Sequence, residues 1–97
     1  FQDNMRQIIR IFCRHEIKLL MGTLPPVVGS CMPCFDSSRS NEWIKRANQA
    51  LESLINEYDL IPVEFSDMGD YLVDGVHMNY RGYEEMARRW FEKIKGL

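Results

Sequence analysis

The run Ile17-Lys18-Leu19-Leu20-Met21-Gly22-Thr23-Leu24, stopped by Pro25-Pro26, constrains this chain more than any other feature. It is short and mostly apolar, with no clean alternation of polar and apolar positions. That pattern reads as a parallel strand buried on both faces. Two prolines cannot continue a central strand, so the chain must turn after Leu24. A strand of this kind needs helices over both faces and other strands along its edges.

The rest of the chain supplies helices readily. Met5, Ile8, Ile9 and Phe12 follow i, i+3, i+4, i+7 spacing, and Arg14 suits the negative end of such a helix. Trp43, Ile44, Ala47, Ala50, Leu51, Leu54, Ile55 and Tyr58 form a second stripe, with Ser40 or Asn41 able to cap its first amides. Tyr83, Met86, Ala87, Trp90, Phe91 and Ile94 form a third, with Asn79 as cap and Gly96 near its end. Residues 27 to 41 carry Gly29, Pro33 and several serines and read as a loop long enough to be functional. Leu60-Ile61-Pro62-Val63-Glu64-Phe65 is a second strand, and Pro62 places it at an edge or at a strand start.

The order helix, strand, helix, strand, helix implies parallel strands joined by a right-handed crossover, hence the α/β class. Two parallel strands do not make a closed architecture. Further sheet is therefore expected from elsewhere in the native polypeptide or from another chain. The isolated chain is expected to self-associate through the exposed strand edge.

With 97 residues, the chain reads as one segment of a single domain, residues 1–97. Apolar residues at 45% and charged residues at 27% match a globular composition. A net charge of −2 gives no electrostatic reason to expect nucleic acid as partner. No apolar run approaches the roughly 20 residues of a membrane span. The first residue is Phe1, so a targeting sequence upstream would not be seen. Cys13, Cys31 and Cys34 are too few for a disulfide scaffold, and free thiols point to a reducing, cytoplasmic setting.

The chemistry concentrates in Asp74-Gly75-Val76-His77, followed by Met78-Asn79-Tyr80-Arg81-Gly82-Tyr83. A carboxylate three residues before an imidazole can fold onto Nδ1, fix the tautomer and leave Nε2 as a general base. Gly75 lets the chain turn tightly between the two.

This run, with Met86-Ala87 beyond it, closely resembles the last conserved block of the SGNH/GDSL hydrolase family. The Asn-x-x-Gly-Tyr extension after the histidine adds specificity, and the order of elements agrees along the whole chain. The resemblance implies a flavodoxin-like α/β/α parent with a parallel sheet in three layers. It implies catalytic roles for His77 as base, then acid, and for Asp74 as its orienting carboxylate. The implied reaction is hydrolysis of a small-molecule ester by a serine nucleophile, with no cofactor and no metal. The Gly-Asp-Ser block with that nucleophile does not occur in these residues, nor do the blocks forming the oxyanion hole. Ser30, in Gly29-Ser30-Cys31, does not match the block. A triad without nucleophile or oxyanion donors cannot transfer an acyl group, so the isolated chain is expected to be inactive.

Other constellations compete. Asp67 or Asp70 could replace Asp74 as orienting group, but a solvated loop is the simpler reading of both. Cys31-Met32-Pro33-Cys34 resembles a thioredoxin-like redox motif, but a loop signature, Phe35-Asp36-Ser37-Ser38, follows it rather than a helix start. Cys13, His15, Cys31 and Cys34 could bind zinc, but only one pair has ligand-like spacing. Cys13 is expected to be partly buried, and Trp43, Tyr83, Trp90 and Phe91 to be packing residues. A non-catalytic assembly fragment is the third alternative.

Overall fold

The computed structural model describes residues 1–27, 37–73 and 76–97. Helix α1 spans Gln2–Arg14, strand β1 Leu20–Gly22, helix α2 Ser37–Tyr58, strand β2 Ile61–Val63 and helix α3 Tyr80–Ile94. A single 3-10 turn, Gly69–Tyr71, lies between β2 and α3. The chain is α/β, with the two strands paired in parallel and Leu20, Met21 and Gly22 opposite Ile61, Pro62 and Val63.

Both strands are shorter than the apolar runs that encode them, and the helix exits explain why. Glu16 takes the left-handed conformation at φ 58°, and the Ile17 N–H donates back to the Phe12 carbonyl at 3.1 Å. Ile17 is thus spent on terminating α1 and stays half exposed. Asp59 repeats the device at φ 52°, with the Leu60 N–H donating to the Ile55 carbonyl at 2.9 Å. Such six-to-one bonds around a left-handed residue end helices, usually with glycine there. Leu60 and Ile55 also share a buried cluster, which supplies the apolar contact that accompanies the motif.

Pro62 sits in β2 without breaking it. The Ile61 N–H donates to the Leu19 carbonyl and the Thr23 N–H to the Val63 carbonyl, so the odd positions of β2 face β1. The missing N–H of Pro62 therefore points to the outer edge, as expected of an edge strand.

Side chains alternate across the sheet. Met21 joins Ile9, Leu51, Leu54, Ile55 and Leu60 in a buried cluster built with α1 and α2. Leu20 and Val63 face the other way and pack with Phe65, Met68, Met78, Met86 and Trp90 toward α3. Helices thus cover both faces of a sheet that has, among the described residues, only two strands.

Among the described residues, no strand pairs with the far edge of β1. Phe1, Met5, Ile8, Leu19, Leu24 and neighbours line an apolar concavity of about 370 Å³ beside it. The apolar stripe of α3 is likewise half covered. Trp90 reaches over Gly22 of β1, while Tyr83, Phe91 and Ile94 are 55%, 61% and 53% exposed. Trp43 on α2 is 59% exposed and carries Arg46 over its ring at 5.2 Å. The burial expected of Trp43, Tyr83 and Phe91 is therefore not provided by the described residues.

Helix α2 starts at Ser37, earlier than the periodicity indicates, and Asn41 is not its cap. Asn41 instead accepts from the Val27 N–H at 2.8 Å and donates to the Val27 carbonyl at 2.6 Å. Asn48, two turns on, does the same to Leu24, at 2.7 Å and 3.0 Å. Each amide satisfies both backbone groups of one residue flanking Pro25-Pro26, where the sheet has ended.

Candidate active site

Of the candidate site residues, His77 lies between β2 and α3. Leu72 and Met78 form an isolated antiparallel bridge. The Val73 N–H donates to the His77 carbonyl at 2.7 Å, and the Asn79 N–H to the Tyr71 carbonyl at 2.7 Å. These bonds join two arms, residues 71–73 and 77–79, and His77 is exposed on the second of them.

Beneath the arms, Met68 and Met78 are buried with Val63 and Phe65, and Tyr71 and Leu72 pack against them. The arms are thus seated on the core between the sheet and α3. Asn79 caps that helix as its sequence position predicts, its Oδ1 accepting from the Gly82 N–H at 2.8 Å.

The segment leading into the arms is tied twice. Buried Thr23, just past β1, donates from Oγ1 to Glu64 Oε1 at 2.7 Å and accepts from the Phe65 N–H at 2.8 Å. Glu64 Oε1 also accepts from the Ser66 hydroxyl at 2.5 Å and the Ser66 N–H at 3.1 Å. The Ser66 hydroxyl, then burial in opposition, then Thr23 set the Glu64 carboxyl, with a net lowering of its pKa. On the other side, Arg89 of α3 donates from Nη1 to the Glu64 carbonyl at 2.8 Å and to Asp67 Oδ1 at 2.5 Å. Its Nε donates to Glu85 at 3.1 Å. The Arg89 hydrogen bond holds the Asp67 carboxyl below its usual pKa. Arg88, then Arg89, pull that of Glu85 down to about 2.

Asp67 is therefore engaged by Arg89, and Asp70 lies exposed in the 3-10 turn. Asp74 and Gly75 fall outside the described residues, as do Ser30, Cys31 and Cys34. Cys13 is exposed rather than partly buried, because it lies on the outer face of α1. His15 forms the C-cap of α1, and its N–H donates to the Ile11 and Phe12 carbonyls. Among the described residues, no three His, Cys, Asp or Glu side chains gather as a metal site would require. No helix described is long and apolar enough to cross a membrane. The apolar concavity beside β1 and a second, of about 290 Å³ between Glu64, Asp67 and α3, do not include His77.

Sequence reasoning missed Arg89 and Asn48, and gave Asn41 a capping role in place of its clamp on Val27. Arg89 gave no signal beyond its place on a polar flank. Asn41 and Asn48 did give one, since asparagine is a poor helix former and two of them seven residues apart share a helix face.

No protein-family model matches the chain. Over 85 residues it is 31% identical to a multidomain esterase of Ruminococcus flavefaciens, which covers 81% of this chain. The chain spans about a tenth of the length of that relative, 10%. By that similarity, the chain is related to a region of an esterase.

Proposed function

We propose that the chain is the C-terminal part of an SGNH/GDSL-type serine ester hydrolase, with His77 as the general base and Asp74 as its orienting carboxylate. The observation that carries this reading is the seating of His77. Its carbonyl accepts from the Val73 N–H, a helix capped by Asn79 follows, and the arms on either side of it pack on the core through Tyr71, Leu72 and Met78. The similarity to a multidomain esterase over most of the chain supports an ester as substrate class.

In the proposed reaction His77 Nε2 takes the proton of a serine hydroxyl as that oxygen attacks the ester carbonyl. The same imidazolium then protonates the departing alcohol, and water releases the acyl group by the reverse use of His77. The serine and the oxyanion donors come from the rest of the parent polypeptide. The open edge of β1 and the bare flanks of α1 and α3 support this arrangement, because they suit further strands buried on both faces in a three-layer parent. Asp74 keeps the imidazole in the productive tautomer and stabilises its charged form.

The test is hydrolysis of p-nitrophenyl acetate by the full-length protein and its variants. His77→Ala should remove about 10³-fold or more of kcat. Asp74→Ala should cost less but leave a clear deficit. Full activity in both variants would refute the assignment.

The open edge also favours a second reading, in which the chain serves only in assembly. A full-length protein inert toward a panel of acyl esters, yet folded, would favour it.

A further inference from the structure

We infer that Gly82 is a positioning residue for His77: the absence of a side chain there sets where the arms that flank His77 sit. This inference rests on the hydrolase reading above. Gly82 is buried in the first turn of α3, directly under both arms. A Cβ placed on it would lie 2.8 Å from the Tyr71 Cβ and 2.9 Å from the Met78 Cβ, with the Met78 Sδ at 3.0 Å. Tyr71 and Met78 belong to the two opposite arms, joined by the Leu72–Met78 bridge and by the Asn79 N–H to Tyr71 carbonyl bond.

The clash is of an unusual kind. Atoms at the far end of a flexible side chain can swing away, but a Cβ moves only with its backbone. An alanine at position 82 must therefore lift both arms together. His77 directly precedes Met78 and its carbonyl accepts from the Val73 N–H, so it moves with them. His77 would shift relative to any nucleophile fixed by the rest of the sheet. A displacement near 1 Å at a reacting group can cost about 100-fold in rate.

Gly22 supplies a matched control. A Cβ there would lie 2.8 Å from Phe65 Cε2 and 3.1 Å from Trp90 Cζ2. The closest approach is the same, the site lies on β1, and the atoms met belong to rings rather than to the arms that flank His77.

The experiment is a double-mutant cycle on the full-length protein with p-nitrophenyl acetate, comparing Gly82→Ala, His77→Ala, the pair together and Gly22→Ala at equal fractions folded. Gly82→Ala should lower kcat about 100-fold with KM nearly unchanged. Gly22→Ala should leave kcat within about threefold once the fraction folded is matched. If Gly82 acts through His77, the double variant is no slower than His77→Ala alone. Additive losses, or an equal loss in Gly22→Ala, would overturn the positioning role while leaving His77 as base. Full activity in His77→Ala would instead overturn the hydrolase reading, and this inference with it.

Discussion

Asn48 occupies both hydrogen-bonding groups of Leu24, so the open edge of β1 is closed by a side-chain amide where the strand direction ends. The Leu19 carbonyl and Thr23 N–H face β2, so alternation turns the N–H and C=O of Leu20, Gly22 and Leu24 the other way. Leu24 is the one of these three that Asn48 reaches. Asn48→Ala should lower the unfolding free energy by about 1–2 kcal/mol, since two hydrogen bonds are lost from a partly solvated site. Asn48→Asp keeps the acceptor for the N–H but sets a carboxylate against the Leu24 carbonyl, and should cost at least as much. Urea denaturation at neutral pH reads both, and no change in either would contradict the clamp.

Glu16 and Asp59 predict an effect of the opposite sign. Both hold left-handed backbone at helix exits, where a non-glycine residue costs roughly 1–2 kcal/mol. Glycine removes that strain but adds freedom to the unfolded chain, worth about 0.5–1 kcal/mol against it. Glu16→Gly should therefore stabilise slightly, by up to about 1 kcal/mol. Asp59→Gly should gain less, because aspartate tolerates this conformation better than glutamate does. Thermal unfolding of the two variants checks the order.

Acid should loosen the link between α3 and the segment after β2. Asp67 and Glu85 have pKa values lowered by their arginine partners, Glu85 to about 2. A lowered folded-state pKa means the unfolded chain binds more protons through the window, so stability rises with pH there. The contribution is complete above the unfolded values, about 4, and is lost as pH falls toward 2. Asp67 is well solvated and Glu85 pairs along one helix surface, so the effect should be small and shrink in high salt. A melting temperature that falls between about pH 4.5 and 2, less steeply in Arg89→Gln, is the expected record. An unchanged slope in Arg89→Gln would rule out the Arg89 pairs as its source.

The class of fold and the cap at Asn79 were legible because each rests on local chemistry: apolar periodicity, a proline stop, and an asparagine before a helix. The strand limits were not legible. Ile17 looks like strand in composition, but its N–H is committed to ending α1, a choice set by Glu16 three-dimensionally rather than by side-chain pattern. The fate of Tyr83, Phe91 and Trp43 was hidden for a different reason. Periodicity reports which face a helix wants to bury and says nothing of whether the covering element lies in the same residues. Around the candidate site, a motif alone singled out His77 as a candidate. The partners that hold its arms, Arg89 with Asp67 and Gly82 with Tyr71, are far enough apart in the chain that only folding brings them together.

The exposed stripe of α3 separates the chain alone from the chain in its parent. Tyr83→Ser and Phe91→Ser remove apolar surface that is already in water, so in the 97-residue chain each should change stability by less than about 0.5 kcal/mol. In a full-length protein with further strands beside β1, the same positions would be buried. Each substitution should then cost about 2–5 kcal/mol, as for large-to-small changes in a core. Equal and negligible costs in both settings would argue against a completed sheet.

The same bare surface predicts self-association. The Leu20 and Gly22 edge and the concavity lined by Phe1, Met5, Ile8 and Leu24 offer strand pairing and apolar burial at one place. A second copy would cover both, at the cost of ordering two chains. The isolated chain should therefore show a molecular mass by light scattering that rises with concentration. Ile8→Lys places a charge in the concavity at a side chain already 46% exposed, so it should hold the chain monomeric without unfolding it. An Ile8→Lys variant that associates as strongly as the parent would move the interface elsewhere, and the bare stripe of α3 would be the next surface to charge. A monomeric parent chain at millimolar concentration would mean that three-residue strands are too short to template pairing, whatever apolar surface flanks them.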